Sequence, residues 1–242
     1  MGSDSSTGGN YGSNWDYVQS DYHLMGTYSA LDMDDFGNLH MVYRDGFEDE
    51  LRYSISNDTD ISFEVIDSST ESGYFNNIEV DIYGNIHIAY QADDKLKYAK
   101  KLSTSNNWNV SIIDSTQESG LYASMTLDEW QNPHISYGVG GSGLRYAGFN
   151  GTGWNIETVD SNQAGIYFTS IAIDSMQNIH IAASEFVNGY TALNLNHAKK
   201  YLNSSGGWSM SDVDNNGNVG LSAKIVIDSY DNVHIGYIDF GA

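Results

Sequence analysis

The stretch NIEVDIYGNIHIAY, residues 77–90, holds two runs of alternating apolar and polar residues on either side of a short turn. Alternation with a period of two is typical of a β-strand, and Gly-Asn between two such runs is typical of a hairpin turn. Versions of this stretch occur five times in the chain of 242 residues, so the repeat decides the fold. The other copies are ALDMDDFGNLHMVY at 30–43, SMTLDEWQNPHISY at 124–137, SIAIDSMQNIHIAA at 170–183 and KIVIDSYDNVHIGY at 224–237.

Every copy carries an Asp six residues before a His, and other residues recur at fixed distances downstream. The pairs are Asp34 and His40, Asp81 and His87, Asp128 and His134, Asp174 and His180, and Asp228 and His234. Successive Asp residues are 47, 47, 46 and 54 positions apart. Downstream lie Leu-[Arg/Lys]-Tyr runs at 51–53, 96–98 and 144–146, with a degraded copy at 195–197, and then Trp108, Trp154 and Trp208. Four strand-like runs in a unit of this length are typical of a β-propeller blade.

The repeats predict an all-β fold, a five-bladed β-propeller of four-stranded antiparallel blades. In a single domain at 15–242, whole units span about 27–73, 74–120, 121–165 and 166–220. We expect the fifth blade to combine 221–242 with an N-terminal outer strand at 15–26, so that no sheet edge is left at the seam. Its third strand falls just past Ala242, so either residues 7–11 supply that strand or, as we expect, the chain is part of a longer one.

The charge balance excludes several classes of function. Lys and Arg number 10 against 32 Asp and Glu, which gives a formal net charge of −22. Because phosphate binding needs clustered cations, we expect no nucleic-acid partner and no attraction to anionic membranes. Apolar runs stay far below about 18 residues, so we expect no membrane insertion, and the absence of Cys excludes disulfides and thiol catalysis. The Gly/Ser-rich residues 1–14 are interpreted as a linker or cloning remnant.

The recurring Asp and His residues have two interpretations. Such a set could form a ring of metal ligands or general bases. Each Asp, however, ends a strand in a D-x-x-[GQD]-N turn, where its carboxylate can accept turn N–H groups, and each His begins the next strand across that hairpin. We therefore predict that the Asp, the His and the recurring Trp are architectural residues that hold each blade together.

One segment resembles half of a Ca²⁺ site. The segment DVDNNGNVG at 212–220 matches the start of an EF-hand loop, with Asp212, Asp214 and Gly217 in order. Its twelfth position is Ala223, so the bidentate Glu is missing. Because the segment also aligns with the connections between other units, we expect no cofactor and at most weak Ca²⁺ binding there.

Candidate ligand-binding residues stand where the blades differ. Two positions before the turn Asp the units carry Asp32, Glu79, Thr126, Ala172 and Val226. This strand is the innermost of a propeller blade, so Asp32 and Glu79 are predicted near the axial channel. There the two carboxylates either hold a cation or do acid–base chemistry, or they form a solvated channel wall.

Aromatic residues follow the Gly that closes most units. They are Tyr28, Tyr74, Phe75, Tyr122, Tyr167 and Phe168, whereas the fifth unit has Leu221 and Ser222. These connections are predicted to share one propeller face with acidic loops at 45–50 and 93–94. Aromatic faces beside carboxylates suit sugars, because ring C–H groups stack on the aromatic while hydroxyls bond to the acids. The alternative is that the rings wedge between blades and are buried.

The D-x-x-G-N-x-H-[IM]-x-Y motif followed by L-[KR]-Y resembles the Asp-box, or sialidase-like (BNR-like), repeats of extracellular propellers. In the number and period of its units the chain is also similar to the five-bladed tachylectin-type lectins. The resemblance covers residues 15–242 and implies the propeller fold. Sialidases grip a carboxylate with three Arg, and because Arg52 and Arg145 take the same outlying strand position in different blades, sialidase activity is not expected. Arabinanase-type enzymes use three axial carboxylates, where this chain offers Asp32, Glu79 and then Thr126.

Together these features favour a non-catalytic propeller, extracellular or on the cell surface, that binds glycans through shallow repeated sites whose avidity raises a weak affinity. The high negative charge suits a saline setting, where it keeps the protein soluble. The alternative is a protein-interaction or structural module of a larger cell-surface protein or adhesin. A third hypothesis is a glycoside hydrolase or lyase that acts through Asp32 and Glu79.

Overall fold

The computed structural model describes residues 25–56, 61–161, 165–187, 192–201 and 206–240, which form eighteen β-strands. No helix long and apolar enough to cross a membrane occurs among these residues. The first nine strands are β1 (Met25–Met33), β2 (Leu39–Asp45), β3 (Glu50–Ser56), β4 (Ile61–Asp67), β5 (Tyr74–Val80), β6 (Ile86–Ala92), β7 (Lys95–Lys101), β8 (Trp108–Asp114) and β9 (Ser119–Leu127). The other nine are β10 (Pro133–Val139), β11 (Gly143–Phe149), β12 (Trp154–Asp160), β13 (Ile166–Ile173), β14 (Ile179–Val187), β15 (Ala192–Lys200), β16 (Ser209–Asp214), β17 (Val219–Ile227) and β18 (Val233–Asp239).

The strands form five antiparallel sheets in chain order. Four sheets have four strands each, β1–β4, β5–β8, β9–β12 and β13–β16, and the fifth is the pair β17–β18. The first strands of consecutive sheets lie side by side, β1 against β5, then β9, β13 and β17. Sheets that meet along their first strands radiate from an axis, as propeller blades do. The prediction of an all-β chain built from four-stranded antiparallel units is confirmed.

The apolar core is divided among the gaps between consecutive sheets. Alternate residues of a strand point to opposite faces, so each sheet presents apolar side chains to both neighbours. One cluster packs Val42 and Leu51 of the first sheet against Ile88 and Tyr90 of the second, all of them almost fully buried. Three more clusters fill the following gaps in the same way. Consecutive sheets are therefore held together mainly by buried apolar area.

The repeated Asp and His residues bond to each other within each sheet. In the second sheet, Asp81 accepts the N–H groups of Tyr83 and Asn85 at 2.9 and 2.8 Å, and its other oxygen lies 3.1 Å from His87 Nε2. The Tyr98 hydroxyl lies 2.6 Å from Nδ1 of the same His. The Asp–His contact measures 3.1 to 3.3 Å in all five sheets. The architectural interpretation of these residues is confirmed.

The recurring Trp joins each sheet to the one before it. Each Trp ring stands nearly perpendicular to the Leu-[Arg/Lys]-Tyr tyrosine of the preceding sheet. The ring centroids are 5.2 Å apart for Tyr53 and Trp108, 5.1 Å for Tyr98 and Trp154, and 5.2 Å for Tyr146 and Trp208. In the fourth sheet His197 replaces this tyrosine and pairs with His180, with 3.0 Å between their ring nitrogens. The degraded copy at 195–197 is thus a local substitution within the same scaffold.

The Asp that ends each fourth strand is bonded by the following sheet. The Tyr90 hydroxyl donates to Asp67 at 2.7 Å, and Lys97 reaches the same oxygen at 3.1 Å. One sheet later, Asp114 receives the Tyr137 hydroxyl at 2.8 Å and Arg145 at 2.7 Å. Arg145 is therefore committed to an ion pair between sheets, in keeping with the prediction that the arginines do not converge.

Apolar side chains are exposed at both ends of the series of sheets. Leu31 and Met33 on β1 and Val226 on β17 are exposed. The outer strand predicted at 15–26 lies outside the described residues, except for its last two residues, which belong to β1. The predicted linker at 1–14, which includes the candidate strand at 7–11, also lies outside the described residues. Closure into five complete blades therefore stays a prediction.

Candidate functional site

The connections between sheets lie on one face of the molecule, called here the upper face. The Gly73 amide donates to the Gln91 carbonyl at 3.1 Å, and the Asp93 amide donates to the Thr70 carbonyl at 3.0 Å. These bonds tie the β4–β5 connection to the β6–β7 hairpin, which confirms that the aromatic connections and the acidic loops share a face. The hairpins between first and second strands lie on the opposite, lower face.

The six predicted aromatic residues form one continuous row on the upper face, together with Phe186 of β14. We call these seven residues the aromatic arc. Ring centroids lie 4.9 Å apart for Tyr28 and Phe75, 4.5 Å for Phe75 and Tyr122, 5.3 Å for Tyr122 and Tyr167, 5.1 Å for Tyr122 and Phe168, and 5.1 Å for Tyr167 and Phe186. Tyr74 joins the row at 5.1 Å from Tyr28. Spacings of this kind are typical of favourable tilted and edge-to-face aromatic pairs.

A bulge in the first strand of each sheet aims these rings. Tyr28, Phe75 and Tyr122 have φ values of 53°, 49° and 52°, and each lies where the pairing register shifts. A bulge re-aims side chains at the rim of a sheet. Ser222 has the same positive φ of 54° without an aromatic ring. The bulge therefore recurs with the repeat, whereas aromatic residues stand beside it in the first four sheets and not in the fifth.

The arc is neither buried nor fully open. Tyr28 is 42% exposed and the other rings are half-buried, since each covers part of its neighbour. Burial, together with the neighbouring Tyr167 and Tyr28, raises the pKa of Tyr122 to about 12, so this phenol stays neutral and able to donate. Arg44 lies 4.3 Å from the centroid of Tyr74 and pairs with Asp49. The rings pack between neighbouring sheets, as the alternative predicted, but they are half-buried and not buried.

The arc ends at a concave site between the third and fourth sheets, called here the upper cleft. It encloses about 290 Å³ and is walled by Tyr122, Tyr167 and Phe186 with Glu118 beside them. The carboxylate of Glu118 occupies the space above Gly140, where an added Cβ would lie 1.7 Å from its oxygen. The absence of a side chain at Gly140 leaves room for this exposed carboxylate, which lines the cleft together with three aromatic rings.

Asp32 and Glu79 are neighbours on β1 and β5, as predicted. Asp32 accepts the Met33 amide at 2.8 Å and the Val80 amide at 2.6 Å, so its carboxylate bridges the two strands. Burial, and then the charge of Asp32, raise the pKa of Glu79 to about 8. Glu79 is thus a protonated carboxylic acid at neutral pH and able to donate a hydrogen bond or a proton.

The structure does not bring the two sets of predicted residues together. Asp32 lies four residues after Tyr28 on the same strand, and Glu79 lies four residues after Phe75. At about 3.3 Å per residue the carboxylates lie roughly 13 Å below the aromatic arc. Glu118 and Phe186 were missed by sequence reasoning. The signal for Glu118 was the Glu-Ser-Gly run at 71–73 and 118–120, where both Glu residues have positive φ.

Comparisons with solved structures give the fold its place among known proteins. The Aleuria aurantia lectin in complex with Fucα1-6GlcNAc is similar over 88% of this chain and 71% of that chain, with 13% identity and a TM-score of 0.60. Penicillium chrysogenum α-L-arabinanase complexed with arabinobiose matches over 90% and 77%, with 10% identity and a TM-score of 0.59. The SapL1 lectin in complex with α-methyl fucoside matches over 88% and 71%, with 14% identity and a TM-score of 0.56.

This chain has the propeller fold. Neither the protein-family models nor the curated protein sequences give a match to it. At these identities the likeness concerns the fold, and lectins and a glycosidase share that fold in the comparison. A fold shared by binding and catalytic proteins means that function has to be argued from the site.

Proposed function

We propose that this chain is a carbohydrate-binding propeller that takes a sugar residue in the upper cleft. The observation that carries the proposal is the combination of three aromatic rings and one exposed carboxylate around a concave volume of about 290 Å³. The C–H faces of a pyranose pack on aromatic rings, and its hydroxyls donate to a carboxylate. Tyr122, Tyr167 and Glu118 supply these two kinds of contact from neighbouring sheets.

Binding without catalysis suits this cleft. Glu118 is its single lining carboxylate among the described residues, whereas glycoside hydrolysis commonly uses two carboxyl groups about 5 to 10 Å apart. The remaining arc offers further shallow contacts, which supports a site that is weak alone and strengthened by repetition. The partner is a glycan, and an extracellular or cell-surface location follows from that partner and from the net charge of −22. A surface-protein partner is the alternative.

A glycoside hydrolase or lyase is the second candidate, favoured by Glu79. A carboxylic acid whose pKa is raised to about 8 has the protonation state that a general acid needs, and Asp32 is a carboxylate beside it. If this candidate is right, Glu79→Gln removes hydrolysis of neutral polysaccharides or elimination in uronic-acid polysaccharides, and it leaves sugar binding in the upper cleft unchanged.

Replacing Tyr167 by alanine is expected to weaken sugar binding about fivefold, since one aromatic stacking contact contributes about 1 kcal/mol. Glu118→Gln is expected to weaken it further for sugars whose hydroxyls donate to the carboxylate. The measurement is isothermal titration of a panel of methyl glycosides and arabinobiose into each variant.

The matched control is Tyr230→Ala, because Tyr230 is 85% exposed and lies in a lower-face turn outside the arc. Its affinity for every sugar should equal that of the unchanged chain. Equal losses for Tyr230→Ala and Tyr167→Ala, or no binding of any sugar at millimolar concentration, would overturn the proposal and favour a protein partner.

A further inference from the structure

A second and larger cavity lies on the lower face, also between the third and fourth sheets. It encloses about 480 Å³, within the range of about 300 to 1,000 Å³ common for small-ligand sites. We call it the lower cleft. Its walls come from the β9–β10 turn with Trp130, the end of β11 with Gly148 and Phe149, and the end of β15 with Lys200.

One residue of the lower cleft departs from the pattern of the repeat. Gly148 pairs with His134 across β10 and β11, and the residues that pair with the equivalent His in the other four-stranded sheets are Ile55, Lys100 and Lys199. The matching gap between the second and third sheets, lined by Lys100, encloses only about 110 Å³. At Gly148 the Tyr146 ring lies against the backbone, where an added Cβ would clash with its hydroxyl, so no side chain extends from this position into the gap as Lys100 does one sheet earlier.

The walls of the lower cleft are aromatic. Trp130 is 65% exposed at the tip of its turn, a position that holds an exposed large apolar residue in every sheet and an indole in the third alone. Phe149, which also lines the smaller gap between the second and third sheets, packs edge-on against Trp154 with 5.5 Å between ring centroids. In the second and fourth sheets the position of Phe149 holds Lys101 and Lys200, each paired with a Glu of the preceding sheet. The third sheet replaces this cation by a ring.

The charged groups of the lower cleft are paired with each other. Glu157 binds Lys200, accepts Asn155 Nδ2 at 2.7 Å and accepts Trp208 Nε1 at 3.0 Å. Asp128 is bonded to His134 and to its own turn. In a chain of net charge −22 this cleft therefore offers neutral polar groups, among them the amides of Asn150, Asn155 and Gln177. Paired charges disfavour an ionic ligand, whereas amides and aromatic rings suit hydroxyls and C–H faces.

We propose that the lower cleft is a second carbohydrate site, which takes a neutral sugar residue stacked on Trp130 and bonded to the surrounding amides. Its ligand class is that of the proposed upper cleft, but its occupancy does not depend on the upper cleft. Two sites on opposite faces make the chain bivalent. A bivalent chain could bridge two glycans, and this bridging rests on the proposed function because it needs both clefts.

Tryptophan fluorescence separates the two clefts, since the upper cleft is lined by tyrosine and phenylalanine. Titration of methyl α-fucoside, methyl β-galactoside, methyl α-mannoside and arabinobiose, with excitation of tryptophan alone, is expected to give a saturable blue shift with at least one sugar. Trp130→Ala should abolish that shift, and isothermal titration of the same sugar should show that the affinity of the lower cleft has fallen more than tenfold. Tyr167→Ala should leave the shift intact.

Tyr83→Ala is the matched control, because Tyr83 is 67% exposed at the same turn position in the second sheet, where Lys100 fills the gap. It should leave the fluorescence titration unchanged. A shift that survives in Trp130→Ala, or no saturable shift with any sugar, overturns the lower cleft as a site. Tighter binding of methyl galacturonide than of methyl β-galactoside overturns the neutral class. If the shift depends on Trp130 but Tyr167→Ala leaves sugar affinity unchanged, the upper cleft is overturned as a sugar site and the lower cleft is supported.

Discussion

Replacing Asp81 by alanine is expected to lower the free energy of unfolding by about 4 kcal/mol, because a buried, fully bonded carboxylate would be lost. Four groups donate to it or contact it: the amides of Tyr83 and Asn85, the Asn85 side chain at 2.7 Å and His87 at 3.1 Å. His87 is completely buried, so once Asp81 is removed its Nε2 loses this hydrogen-bond partner and has no access to water that could replace it. Urea unfolding with an unchanged m-value measures the loss.

Asp228 supplies a control inside the same chain. Its carboxylate makes the same set of contacts at 2.9 to 3.1 Å, to Tyr230, Asn232 and His234. The His234 side chain, however, is 59% exposed, so water can replace the lost carboxylate. Asp228→Ala is therefore expected to cost far less than Asp81→Ala. Equal losses at the two positions would show that burial does not set the cost of breaking this contact.

The fold could be predicted because the repeat shows which residues recur at a fixed spacing from one another. A spacing of six residues puts Asp81 and His87 at the two ends of one hairpin, and the contact follows from that geometry. The partner of the recurring Trp was not predictable from spacing alone. Trp108 contacts Tyr53 of the preceding sheet, and this contact depends on how the two twisted sheets pack against each other.

The candidate sites were less predictable, since they depend on what is missing as much as on what is present. The sequence placed Tyr122 and Tyr167 on one face, but the contact of their rings follows from bulges whose φ values no motif states. The sequence shows that Gly148 departs from Lys100 and Lys199 at the same position of the repeat. The cavity that Gly148 lines could not be predicted, because its walls come from two sheets whose packing the sequence does not give. Deviations within a repeat locate sites better than the repeated residues do.

Glu79→Gln is expected to stabilise the protein at alkaline pH, because it removes a carboxyl group that the fold holds in its neutral form. Burial and the charge of Asp32 raise the pKa of Glu79 from 4.5 to about 8 in the folded state. In the unfolded chain the group ionises at its ordinary pKa, so between these two pH values only the unfolded state gives up the proton. The stabilising contribution is complete below about pH 4.5 and is lost as the pH rises towards 8.

The difference in unfolding free energy between Glu79→Gln and the unchanged chain should therefore be near zero at pH 4.5 and grow by at most about 1.4 kcal/mol per pH unit up to pH 8. Asp32→Asn keeps an acceptor for the Val80 amide and removes the charge that helps to raise the pKa of Glu79, so the loss of stability with rising pH should stop at a lower pH in this variant than in the unchanged chain. Urea unfolding at half-unit steps of pH measures all three chains. A difference that stays flat between pH 5 and 8 would mean that Glu79 is ionised in the folded protein, and the general-acid candidate would fail with it. A slope of the expected size, without cleavage of any neutral or uronic-acid polysaccharide, would instead give the half-buried pair a structural role, in which Asp32 joins β1 to β5 and Glu79 stays neutral beside it.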